Sequence, residues 1–130
     1  MLVVEDTPSV SEMLTTLLRL WGHAVRTVSE GPAALSVART YHPDVVLLDI
    51  GLPGMNGYEV ARHLRQETGQ TRPVIAAITG YGQAEDRRRA EEVGFDYHIL
   101  KPIDPNALQA VFQDAALRWR PATLTMPGGG

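Results

Sequence analysis

The 130-residue sequence contains no cysteine, which excludes a disulfide scaffold, thiol catalysis and cysteine-built zinc sites. It has no excess of cations: 12 Lys plus Arg stand against 15 Asp plus Glu, for a formal charge of −3. That balance gives no electrostatic footprint for nucleic acid or for an anionic membrane surface. No apolar run approaches the roughly 20 residues of a membrane span. Leu2-Val3-Val4, the first such run, is broken at once by Glu5 and Asp6. Neither a Gly-x-Gly-x-x-Gly nor a Gly-x4-Gly-Lys-Ser/Thr pattern occurs, so Gly51, Gly54 and Gly57 read as a flexible turn and Gly80-Tyr81-Gly82 as no dinucleotide fingerprint. Internal repeats and linkers are also missing, and the length suits one domain.

What is present is an ordinary globular composition, 44% hydrophobic and 21% charged, arranged in alternating segments. Leu2-Val3-Val4, Val45-Val46-Leu47-Leu48 and Val74-Ile75-Ala76-Ala77-Ile78 are apolar without alternation, as expected of strands covered on both faces. Residues 24–28 and 97–100 mix polar with apolar residues and read as edge strands. Helical periodicity fills the gaps. Val10, Met13, Leu14, Leu17, Leu18 and Trp21 form one stripe between Pro8 and Gly22. A second helix starts near Pro32 and stops before Pro43, a third follows Gly57, and a fourth is predicted from Gln83 to Val93 with Gly94 as its C-cap. The last opens on Asp104 and Pro105 and aligns Leu108, Val111, Phe112, Ala115 and Trp119. Five βα units with these edges predict a flavodoxin-like, doubly wound (βα)5 three-layer α/β sandwich with parallel strand order 2-1-3-4-5. The domain is expected over 1–119, with 120–130 a loose tail.

In such a sheet ligands bind beyond the carboxyl ends of the strands, where the strand order reverses. The residues at those ends are Glu5, Asp6, Asp49, Thr79 and Lys101. Singly, Asp6 reads as a helix N-cap, Asp49 as a turn former, Thr79 as a plain strand end and Lys101 as a solvated cation. Together they place three carboxylates in one pocket, which repel one another unless a cation is bound. Mg²⁺ suits that need, because it takes one or two carboxylates and leaves room for phosphate oxygens. An Asp is also a competent phosphoryl acceptor, and transfer to it needs mainly positioning and charge neutralisation. Arg87-Arg88-Arg89 reads as a solvated helix face, and His23, His42 and His63 lack ligand spacing.

These residues resemble the receiver (CheY-like) domain of bacterial two-component response regulators. The likeness rests on Glu5-Asp6, the segment from Leu47-Leu48-Asp49 to Gly57, Thr79-Gly80 and Lys101-Pro102, and it covers Met1 to Trp119. The resemblance implies that Asp49 is the phosphoacceptor and that Glu5, Asp6, Asp49 and the Gly51 backbone carbonyl hold Mg²⁺. It implies that Thr79 bonds the phosphoryl group and moves with it, that Lys101 pairs with a phosphoryl oxygen, and that the Lys101-Pro102 bond is cis. His98 stands at the switch position, where Tyr or Phe is commoner.

The implied partners are a sensor histidine kinase or phosphotransfer protein upstream and a downstream protein or output domain, with a homodimer on phosphorylation also allowed. Direct nucleic-acid binding and membrane insertion are not expected, and the implied location is cytoplasmic. The domain would support only its own phosphorylation and dephosphorylation. It is expected as a stand-alone receiver or as part of a longer chain, such as a hybrid sensor histidine kinase or a multidomain regulator; Met1 abutting the first strand favours excision from a longer chain or an unusual start. Two other classes fit the sheet. An Asp-nucleophile phosphohydrolase usually has a second Asp two residues after the first, where this sequence has Gly51. A flavodoxin-like flavin or nucleotide module would bring phosphate against an acidic pocket.

Overall fold

Apolar strands without alternation require cover on both faces, and the helices between them supply it. The computed structural model describes residues 1–52, 54–67, 73–80 and 94–118. Among these, the elements run β1 (Leu2–Val4), α1 (Pro8–Leu20), β2 (Arg26–Val28), α2 (Gly31–Tyr41), β3 (Val45–Asp49), α3 (Gly57–Glu67), β4 (Val74–Thr79), β5 (Tyr97–Leu100) and α4 (Pro105–Arg118). All strand pairs are parallel, in the order β2-β1-β3-β4-β5. The helix expected from Gln83 to Val93, the arginine run within it, Trp119 and the tail lie outside the described residues.

Side-chain alternation divides the sheet between two cores. Leu2, Val4, Val46, Leu48 and Ile75 pack with Ala34, Leu35 and Ala38 of α2 and with Val60, Ala61 and Leu64 of α3. Val3, Leu47, Ala76, Ile78 and Ile99 face the other way, onto Leu14 and Leu18 of α1 and Leu108 of α4. Each fully buried Leu or Ile contributes about 1.5–3 kcal/mol of transfer free energy, so the central strands β1, β3 and β4 anchor the fold. The edges differ: β2 exposes Arg26 and Thr27, and β5 exposes His98 and Leu100.

Local chemistry sets the element ends. Pro8 is the first residue of α1, after extended Thr7. At its other end Gly22 takes φ +91, with Gly22 N–H donating to Arg19 O and His23 N–H to Leu18 O, both at 3.0 Å. That is a Schellman closure. Helix α2 closes instead on His42 in the left-handed region, φ 51, one residue before Pro43. Strand β2 is shorter than the expected 24–28, because its ladder with β1 begins at Leu2 opposite Arg26. No helix among the described residues is long and apolar enough to cross a membrane.

Candidate functional site

The strand register brings the carboxyl ends of β1 and β3 side by side. Val4 pairs with Leu48, so Glu5 and Asp49 are the next residues along each strand. Glu5 continues the β1 line, its N–H donating to Val28 O at 3.0 Å, and it is buried at 2% exposure. Asp6 is exposed. Successive side chains leave an extended backbone in opposite directions, so one member of an acidic pair goes deep and the other stays at the rim. Oxygens of Glu5, Asp6 and Asp49 nevertheless lie within 4.8 Å of one another.

Asp49 is buried at 4% exposure, and both of its carboxylate oxygens are held. Oδ1 accepts the Gly51 N–H at 2.9 Å, and Oδ2 accepts from Lys101 Nζ at 3.1 Å. Lys101 reaches the site from the end of β5, where its N–H donates to Thr79 O at 2.8 Å and its bond to Pro102 is cis, as expected. Thr79 is half-buried at the end of β4, one residue beyond Ile78, which is opposite Asp49. Gly51 is exposed beside the carboxylate. The five strand-end residues are therefore gathered at one sheet edge. His98 lies elsewhere, exposed on β5 opposite Ala77, with its ring edge-on to Phe95 at 5.9 Å.

Three carboxylates face one ammonium, so charge is uncompensated. Burial, then the neighbouring Asp49 carboxylate with its negative charge, push the Glu5 carboxyl above its ordinary 4.5. Burial pulls the Lys101 ammonium down, but the Asp49 hydrogen bond and the charges of Asp49, Glu5 and Asp6 outweigh it, and the net shift is upward. Glu5 Oε1 accepts the Thr7 N–H at 3.3 Å, whereas Oε2 is buried without a hydrogen-bond partner, 3.7 Å from Lys101 Nζ. A buried, unsatisfied carboxylate oxygen beside two further carboxylates is what a hard, oxygen-seeking dication would satisfy. The residues fit Mg²⁺.

Two features escaped the sequence reading. Gly57 is no flexible turn: it is the buried first residue of α3, and a Cβ there would stand 2.6 Å from Ile50 Cα. Only Gly54, at φ +76, takes the left-handed turn conformation within that glycine set. The second feature is Arg65, which donates to Pro73 O at 2.6 Å and to Gly94 O and Asp96 Oδ2 at 2.7 Å. Asp96 Oδ2 also accepts the Ile75 N–H at 2.8 Å. These bonds tie α3 to the approach to β5, and so to the strand that carries Lys101.

Residues 1–113 match the family model described as the response regulator receiver domain. A DNA-binding response regulator of Mycolicibacterium smegmatis, MtrA, is 41% identical over 109 residues, which is 84% of this chain and 46% of that protein. The receiver domain of a Pseudomonas aeruginosa sensor histidine kinase, solved with a magnesium ion coordinated in the active-site cleft, superposes with a TM-score of 0.79 at 30% identity. That match covers 87% of this chain and 93% of the other. The chemotaxis protein CheY4 of Vibrio cholerae gives a TM-score of 0.82 at 27% identity, over 88% of this chain and 95% of its own. The chain spans about half the length of the sequence relatives it matches.

Proposed function

Because the chain belongs to the response regulator receiver domain family of two-component signalling, we propose that it is a phosphoacceptor switch in which Asp49 takes a phosphoryl group from the phosphohistidine of a sensor kinase or phosphotransfer protein. The observation that carries this reading is the clamped Asp49 carboxylate, with Gly51 N–H on one oxygen and Lys101 Nζ on the other. That arrangement orients a buried nucleophile and supplies a cation on the side where phosphoryl charge accumulates.

An Asp49 oxygen forms the new P–O bond as the P–N bond to histidine breaks, and the bonding pair leaves with the ring nitrogen. The product is an acyl phosphate on Asp49. Glu5, Asp6, Asp49 and the Gly51 carbonyl would hold Mg²⁺, which when bound would neutralise charge on the phosphoryl oxygens. Lys101 transfers its ion pair from the carboxylate to a phosphoryl oxygen. Thr79 donates its hydroxyl to the phosphoryl group and draws the end of β4 inward. His98, on the edge strand beside it, takes the switch position, and the changed face, that of β5 and of the fourth predicted helix (Gln83 to Val93, outside the described residues), alters affinity for a downstream protein, an output domain or a second copy. The domain supports only its own phosphorylation and dephosphorylation. Gly51, standing where the phosphohydrolases in question place a second Asp, disfavours a turnover enzyme.

Incubation with Mg²⁺ and phosphoramidate, followed by intact-mass measurement, tests the reading. One phosphoryl group per chain is expected, and none for Asp49→Asn. Equal labelling of that variant would sink the assignment.

A further inference from the structure

A glycine can be required for its backbone angles or for the space it leaves, and these have different consequences. Gly57 is not among the positive-φ glycines, so backbone freedom is not the constraint. Space is. A Cβ at 57 would meet Ile50 Cα at 2.6 Å, Asp49 O at 2.8 Å and Ile50 N at 3.2 Å. All three are backbone atoms, which cannot rotate away as a side-chain end would. In the same contact the Gly57 N–H donates to Ile50 O at 3.0 Å. The first turn of α3 thus rests directly on the peptide units that follow the Asp49 side chain, and Asn56 caps that turn through Oδ1, which accepts the Glu59 N–H at 3.0 Å. On its other side Ile50 is held to the sheet, its N–H donating to Ile78 O at 3.1 Å.

We infer that Gly57 is a positioning residue for the phosphoacceptor: by lacking a side chain it seats α3 on the Asp49–Ile50 backbone and so sets where the Asp49 carboxylate and the Gly51 backbone stand. The inference rests on the reading of Asp49 and Gly51 as acceptor and metal ligands. Held between β4 and α3, the Asp49–Ile50 backbone has no slack. A methyl group at 57 displaces either the helix or the strand end, and a strand-end shift moves the oxygens that hold Mg²⁺. Misplacement of supporting groups around a metal typically weakens binding by about 10–100-fold.

The test compares three variants with the wild type, using Mg²⁺ alone as the ligand in calorimetric titration and phosphoramidate for the labelling rate, with urea unfolding in parallel. Gly57→Ala is expected to bind Mg²⁺ about tenfold more weakly and to label correspondingly slowly. Val60→Ala removes buried methyl groups from the same helix without adding an atom near Asp49. It should lose stability yet keep wild-type Mg²⁺ affinity. Asn56→Ala only loosens the first turn of α3 and should weaken Mg²⁺ in the same direction by a few-fold while remaining folded. Wild-type affinity in Gly57→Ala, or an equal loss in Val60→Ala, overturns the inference. Should Gly57→Ala fail to fold, unchanged Mg²⁺ affinity in Asn56→Ala overturns it. A wild-type protein that neither binds Mg²⁺ nor labels refutes the functional reading instead.

Discussion

Glu5 and Asp6 are adjacent in sequence but unequal in the structure. Glu5 is buried with one oxygen unsatisfied, whereas Asp6 is exposed and its charge is screened by water. Neutralising Glu5 therefore relieves more strain than neutralising Asp6. Glu5→Gln is expected to stabilise the metal-free protein by about 1 kcal/mol in urea unfolding, and Asp6→Asn by less. The same carboxyl gives a pH dependence. Since the folded protein holds the Glu5 proton above the ordinary 4.5, it binds more protons than the unfolded chain in that interval. Metal-free stability from this group then falls as pH rises from 4.5 through the raised value, and Glu5→Gln should flatten that limb. Mg²⁺ affinity should rise over the same interval, because the ligand must be deprotonated. Lys101, also raised, contributes stability that is lost only as pH climbs above 10.5 through its own folded value.

At the scale of elements, most of the fold was legible. Unalternating apolar runs mark β1, β3 and β4 as central, and polar residues inside 24–28 and 97–100 mark the edges; with those edges the strand order 2-1-3-4-5 follows, and the structure has it. The strand-end residues were legible for the same reason, because a parallel sheet gathers its carboxyl ends at one side. Three things left no periodic trace. The left-handed closure of α2 on His42 uses a residue without a glycine's signature. The seat of Gly57 depends on a backbone seven residues earlier folding beneath it. Arg65 finds Asp96 and Gly94 about thirty residues away, and no spacing rule anticipates such a contact. Arg65 is only 14% exposed and bonds two carbonyls besides its carboxylate partner. Arg65→Ala should therefore cost about 2–4 kcal/mol in urea unfolding, more than a surface ion pair is worth. A loss below 1 kcal/mol would reduce the link to a surface contact.

For the whole molecule, the modest net charge of −3 conceals a concentrated field: three carboxylates at one sheet edge, opposed within the cluster by Lys101. A ligand that binds the folded state but not the unfolded one stabilises it by mass action. Millimolar Mg²⁺ should therefore raise the melting temperature of the wild type and much less that of Glu5→Gln. Equal melting with and without Mg²⁺ would count against a preformed acidic site. The matched relatives, MtrA of Mycolicibacterium smegmatis and ycf27 of Cyanophora paradoxa, are about twice this length. The proposed chemistry takes place on one atom group, the Asp49 carboxylate. Its most direct test is to label the wild-type protein with phosphoramidate and Mg²⁺, reduce the product with borohydride, and locate the modified residue by peptide mass spectrometry. Homoserine at position 49, and nowhere else, is the predicted result; reduction at another acidic residue, or at none, would contradict it.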